Sequence, residues 1–536
     1  MKKLNSILAL VLAFSLLFAL SACTPKDGGE PAGTDKLDIL SVCVGPNPDT
    51  IDPALNSSVD GATMIIHAFE GLYTLDKDGV PIPGQAESVE VSDDGTVYTF
   101  HLREGLKWSE GTKLTAEDFV YSWNRAIAPE TAADYEYMYD VIKGYEDGEL
   151  DAVAVDERTL QVTLNAATPY FLELTAFPTF SPVLKATVEA NGEAWATKAD
   201  TYIGNGPYRM TEWIPSSYIM YEKNPNYWDV DSLGTEKIKF VLMEDDNAQH
   251  AAYAAGELQF IDGVPNDEID TLKAQPDFYI EGQLGTYYIS FNIKDPALAN
   301  PKLREALTLA INRPFICAEI GKGGQVPAAA FVSLGLSDAT AGSSFRTASN
   351  NYFDPNDHAG NLAKAKAIIQ EEYTDKGLAV PSFEYLYNTN TGHQAIAEAL
   401  QNDWKEIGVN ITIQSQEWGT FLQTRKNHEF QIARNGWLND YNDPIGMLDM
   451  FITGGGNNDG DWSNAEFDQL IKDIKGSSDA AVRFAKMHEA EDLLMGDWAL
   501  SPIYYYVDFF MMSEKLEGAW SSPLGYKYFM YATAMK

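Results

Sequence analysis

The chain is short of cysteine, of histidine and of positive charge. Its 536 residues include 3 cysteines and 7 histidines, and 38 Lys plus Arg stand against 78 Asp plus Glu, a formal net charge of −40. Three cysteines cannot make the framework of staples on which small exported domains rely. So acidic a molecule repels phosphate backbones and anionic headgroups alike, which excludes nucleic acid as an expected partner. Long apolar runs are lacking as well: beyond Ile7 to Leu20 no stretch approaches the ~18 residues of a membrane span, so the body is expected to be soluble. What is present is apolar matter enough for sizeable cores, 45% hydrophobic and 12% aromatic, over a length that suggests two to four domains.

The N-terminus reads as an export signal. Met1-Lys2-Lys3 is cationic, Ile7 to Leu20 is apolar, and Leu20-Ser21-Ala22-Cys23 closes it with small residues. This ending resembles the lipobox of bacterial lipoproteins, which implies a signal over residues 1–22 and a lipid on Cys23. The following "TPKDGGEPAGTDK" is Pro, Gly and charge without apolar period, so residues 23–36 are expected to be a flexible tether reaching roughly 20 Å. Cys43 and Cys317, both among apolar neighbours, read as small buried hydrophobes.

The body mixes short strands and helices. "ESVEVSDDGTVYTFHL" (Glu87 to Leu102) gives two alternating runs around Asp94-Gly95, a hairpin. In "LTAEDFVYSWNRAIAP" Thr115 stands at an N-cap with Asp118 three residues on, Phe119, Trp123 and Ile127 share a face, and Pro129 stops the helix. "NPKLREALTLAIN" has Asn300 as cap, Pro301 in the first turn and a stripe of Leu303, Ala306, Leu307, Ala310 and Ile311. Strands are expected at Lys237 to Met243, Phe278 to Ile293, Asn410 to Trp418 and Ser501 to Met512. The class is mixed α/β.

Catalytic constellations fail one by one. "HEAED" (His488 to Asp492) has Asp492 where a zinc protease needs its second imidazole, and reads as a solvated helix face. "GKGG" (Gly321 to Gly324) lacks the hydroxyl that follows a P-loop lysine. "GGGNNDGDW" (Gly454 to Trp462) lacks a calcium loop's alternating acids and terminal glutamate. No G-x-S-x-G elbow occurs. Neither an enzyme nor a cofactor or metal is expected.

The segment "AESVEVSDDGTVYTFHLREGLKWSEGTKLTAEDFVYSWNRA" (Ala86 to Ala126) closely resembles the extracytoplasmic peptide-binding proteins of bacterial ABC importers, solute-binding protein family 5. The likeness continues through Asn205 to Trp228, Phe291 to Arg313 and Trp404 to Pro444, where "RNGWLNDYNDP" (434 to 444) is most like the oligopeptide branch. In such proteins the acid matching Asp440 binds the α-ammonium of a peptide. The physics agrees, because an α-amino group with a pKa of roughly 7.7 to 8.0 is mostly charged at neutral pH and cannot be buried without an anion. Asp443 is read instead as the cap of the turn before Pro444.

The resemblance further implies that the backbones of Gly436 and Leu438, with the loop Asn56, Ser57, Ser58 and Val59 opposite, pair with an extended ligand. Trp418 and Trp437 would partly wall roomy side-chain pockets. Arg434, Arg425 and His393 match positions that receive the ligand's carboxylate at different lengths, with Lys322 a candidate one place out of register. The implied fold is two-lobed and periplasmic-binding-protein-like, with hinge strands and a third domain. Lobe I would take 37–72, 205–288 and 501–536, the extra domain 73–204 and lobe II 289–500. The implied role is to capture oligopeptides outside the cytoplasmic membrane and pass them, as a lipid-anchored monomer, to ABC permease subunits driven by cytoplasmic ATPases. A peptide-pheromone receptor, or a binder of dipeptides, nickel, haem or sugar, remains the alternative.

Overall fold

The computed structural model describes residues 36–340 and 342–536. The expected export signal, the lipid site at Cys23 and the tether up to residue 35 lie outside the described residues.

Among the described residues an eleven-stranded sheet runs through the body, and two strands at its centre are unusually long. Phe278–Phe291 has 14 residues and Leu500–Met512 has 13, and they pair antiparallel along most of their length. The first begins half-exposed and ends with seven consecutive buried residues, as expected of a chain entering a core covered on both faces. Their register breaks between Gly282 and Thr286; there the Leu284 N–H donates to the Pro523 carbonyl, outside the ladder, at 2.9 Å.

On one side of this pair lie Ile432–Leu438, Ser382–Asn388 and Asn410–Gln416, the last two parallel to each other. On the other side Phe260–Ile261 leads to Ile39–Cys43, Lys237–Val241, Tyr218–Lys223 and Tyr208–Ile214. A separate antiparallel sheet of four strands holds the hairpin Ala86–Val91 and Val97–Leu102, then Thr159–Thr163 and Ala152–Asp156. Gly95, at φ +70°, supplies the left-handed residue its turn requires.

Local signals in the sequence are realised closely. Helix Ala116–Ile127 starts from Thr115, whose N–H donates to Asp118 Oδ2 at 2.7 Å, and it buries Phe119, Trp123 and Ile127. Helix Pro301–Ala310 starts from Asn300, whose side chain accepts from the Lys302 N–H at 3.0 Å. Its apolar stripe packs with Tyr287, Ile289, Trp404 and Ile432 in one of two large cores, the other joining the four-stranded sheet to the Ile39–Cys43 side. Cys43 and Cys317 are buried and unbridged, and burial pushes both thiols up to about 12.

Two expectations need correction. The strand from Asn410 ends at Gln416, and Trp418 opens a helix, Trp418–Lys426, because Glu417 accepts the N–H groups of Gly419 and Thr420 at 3.3 Å. The "HEAED" stretch is no solvated face: Glu491 is fully buried and bidentate to Arg346 at 2.5 and 2.7 Å. The loop 454–462 is held by amide chemistry, with the Asn458 side chain donating to the carbonyl of Trp462 at 2.7 Å and accepting from its N–H at 3.2 Å. Among the described residues no helix is long and apolar enough to cross a membrane.

Candidate functional site

One strand organises the candidate site. Ile432–Leu438 pairs along its whole length with Phe278–Phe291, but its other edge meets a neighbour only at Ile432 and Ala433, opposite Tyr385 and Leu386. From Arg434 to Leu438 that edge has no strand partner, which is the template an extended ligand needs. Beside it lies a cavity of about 470 Å³. Of the residues singled out in the sequence, Arg434, Gly436, Leu438, Trp418, Arg425, His393, Ser57, Ser58 and Val59 line it. Asn56, Trp437 and Asp440 do not.

The two acids after this strand part company. Asp443 is occupied: Oδ1 accepts the Ile445 N–H at 3.1 Å and Oδ2 meets Arg483 at 3.0 Å. Asp440 accepts only the Tyr135 hydroxyl, at 3.2 Å on Oδ1, while its buried Oδ2 has no partner. Burial, then the charge of Asp449, holds its pKa well above the carboxylate range against the Tyr135 bond. Beside it are Tyr526 and Tyr135, whose ring in turn lies 6.0 Å from that of Trp437. A carboxyl in such a box ionises when a cation arrives. The cavity lining ends two residues earlier, where Leu438 and Val59 close against Gly525.

The three basic candidates differ just as sharply. Arg434 is half-buried, stands 5.3 Å above the Tyr287 ring and reaches the Tyr506 hydroxyl at 3.3 Å; it makes no ion pair among the described residues, and its covered Nε has no acceptor. Arg425 is already engaged, bonded to Asn435 Oδ1 and 3.5 Å from Asp459. Burial and the neighbouring Arg434 hold His393 well below its ordinary pKa, so it is a neutral ring, 3.4 Å from the Tyr287 hydroxyl. Lys322 turns away to the Asn266 carbonyl at 3.4 Å and lies 3.8 Å from Asp270.

The remaining candidates act in other ways. Asn56 braces its loop, accepting from Ser58 Oγ at 3.2 Å and donating to the Ser58 carbonyl at 2.9 Å. Trp437 donates to the Gly446 carbonyl at 2.9 Å and so packs the chain after the strand; it is not a cavity wall. Gly436 is required by Tyr506, whose hydroxyl would lie 2.0 Å from a Cβ there.

Residues 80–459 match the model of the bacterial extracellular solute-binding proteins, family 5. The chain belongs to this family. It is 36% identical to the oligopeptide-binding protein OppA of Bacillus subtilis, over 99% of both chains. The solved complex of Haemophilus influenzae OppA with the peptide RPPGFSPFR superposes with a TM-score of 0.87 at 28% identity, covering 94% of this chain and all of that one. The murein tripeptide-binding protein MppA of Escherichia coli superposes at 0.85 and 29% identity over 93% and 98%, but its unliganded open form only at 0.61, over 94% and 99%.

The fold is therefore the family's two-lobed one, with its lobes closer to the first arrangement than to the open form. Segments far apart in the chain also meet: Asn390 donates to Asp246 at 2.8 Å and Lys475 meets Asp140 at 2.8 Å. Sequence reasoning missed several residues that shape this family 5 site, namely Tyr135, Tyr506, Asp60, Asp246 and Lys527. Asp60 follows Val59 in the first turn of a helix, a place so ordinary for an acid that it raised no question.

Proposed function

We propose that the protein captures short oligopeptides in extended form between its lobes and hands them to the membrane subunits of an ABC importer, held at the outer face of the cytoplasmic membrane by a lipid on Cys23. One strand carries this reading. Among the described residues its backbone edge from Arg434 to Leu438 is unpaired, a half-buried guanidinium without an acid stands at one end, and a buried carboxyl with an unpartnered oxygen lies just past the other. A zwitterion with amides between its charges complements that set. At ~3.3 Å per residue, Arg434 and Asp440 are at most about 20 Å apart along the chain, which bounds a ligand spanning both to about six residues.

In this reading the α-ammonium ionises Asp440, the α-carboxylate meets Arg434, and Leu438 and Val59 swing aside to join the cavity to Asp440. Lobe I comprises 37–72, 205–288 and 501–536, the extra domain 73–204 and lobe II 289–500, with the two long strands as the hinge. No bond is made or broken in the ligand. Native mass spectrometry of the purified protein tests the reading: short peptides of mixed sequence, exchangeable for an added trialanine, are expected. A protein that carries no peptide and takes up none, or that carries haem, nickel or a sugar, contradicts it.

A further inference from the structure

A second, smaller space of about 160 Å³ branches from the main cavity and shares Asp246, Asp262, Asn388, Asn390 and Trp418 with it. Its charged lining is all acidic: Glu244, Asp246 and Asp262. At its mouth Asp60 packs against Gly45, with Oδ2 3.8 Å from where a Cβ of residue 45 would stand. Asp60 is 9% exposed, lines the main cavity, and its buried Oδ2 has no hydrogen-bond partner. Two neutral donors stand beside it, the Ser58 hydroxyl, which also reaches Asn56 Oδ1 at 3.2 Å, and the Trp418 side chain; both favour its ionised form, and neither brings a positive charge. The buried Asn388 Oδ1 is likewise without a donor.

Among the described residues the base that meets these acids is Lys527, and it is committed. Its ammonium lies 2.5 Å from Asp508 and 3.2 Å from Asp262. Asp246 has only neutral donors, Asn390 at 2.8 Å and Thr391 at 3.4 Å. The acids do not converge as metal ligands would, since among the described residues no group of three or more His, Cys, Asp or Glu could hold a metal ion. Carboxylates spread along one wall, an amide oxygen and an indole face suit a long organic cation, whose stem packs on the ring while its head meets the acids.

We propose that this acidic side chamber, bounded by Asp60, Asp246, Asp262 and Trp418, is a subsite for a lysine or arginine side chain of the bound peptide, so that the protein prefers peptides with a basic residue at one position. The proposal rests on the peptide-binding reading above. Burial supports it by pushing Asp246 up to about 6 and raising Asp60, so that each lacks the cation that would favour its charged form.

Calorimetry with the intact protein tests it, using pentaalanine peptides that carry one lysine in turn at each position, each matched by the norleucine peptide. At one position lysine is expected to bind about tenfold tighter or more, a difference of ~1.4 kcal/mol. In the double variant Asp60→Asn, Asp246→Asn that ratio is expected to fall toward one. Lysine and norleucine within twofold of each other at every position would overturn the subsite while pentaalanine binding keeps the parent reading. A preference that survives in a folded double variant would also overturn it. If no alanine peptide binds, the parent reading falls first.

Discussion

Two regions of the molecule draw titratable side chains away from water and treat them in opposite ways. Along the seam where residues 134–140 meet the helices Trp418–Lys426 and Ala465–Lys475, charges are matched: Lys475 sits between Asp140 at 2.8 Å and Asp449 at 3.0 Å, and Lys426 meets Asp134 at 2.7 Å. On and just past the cavity strand, the half-buried Arg434 and the buried Asp440 have no opposite charge beside them among the described residues. The seam offsets its desolvation through ion pairs within the chain, and the strand does not. The seam is thus satisfied within the chain, whereas under the proposed function the strand's groups are satisfied by the ligand.

The sharpest way to break that comparison is to unpair the seam. Lys475→Met leaves two buried acids without a cation and is expected to destabilise the protein by about 3–5 kcal/mol, read by denaturant unfolding. A loss under about 1 kcal/mol would erase the distinction between the regions. The same kind of change on the strand has the other sign for stability. Asp440→Asn is expected to leave the ligand-free protein as stable as before or more so, yet to weaken peptide binding by about 2–5 kcal/mol in calorimetry.

Next in size, Arg434→Met should weaken peptides with a free α-carboxylate by about ten- to a hundredfold and C-amidated ones little. Arg425→Met, whose residue already meets Asp459 and Asn435, should cost less. The smallest effect is on pH. Burial raises Asp246 and Asp403 from 3.8 to about 6, so between pH 4 and 6 the folded chain holds protons that the unfolded chain releases. Their contribution to stability is therefore full below pH 4 and lost as pH rises through 6. The ligand-free Tm should fall by about a few degrees across that window relative to the Asp246→Asn, Asp403→Asn variant, by calorimetric scanning.

How much of this was legible in the sequence follows from the range of the interactions. The caps at Thr115 and Asn300, the turn at Gly95 and the turn-capping role of Asp443 are settled by neighbours within a few residues, and the sequence spelled them out. Trp418 was misplaced by two residues because the deciding cap, Glu417, looks no different from a strand's polar position. Glu491 looked solvated because its partner Arg346 lies 145 residues away. The hydroxyl on Asp440 comes from Tyr135, 305 residues distant, and no local pattern announces it. Arg434, Arg425 and His393 were equivalent as residue types. What separates them is whether an acid, an amide or a neighbouring guanidinium stands beside each, which only the fold decides.

The central claim is that Asp440 receives the positive end of a peptide. Its most direct test is calorimetry of the unmodified protein with one alanine peptide in two forms, its α-amine unblocked or N-acetylated. The account predicts that acetylation weakens binding by about thirtyfold or more, the lower end of the buried-pair scale. Equal affinity for both forms, within threefold, would contradict it.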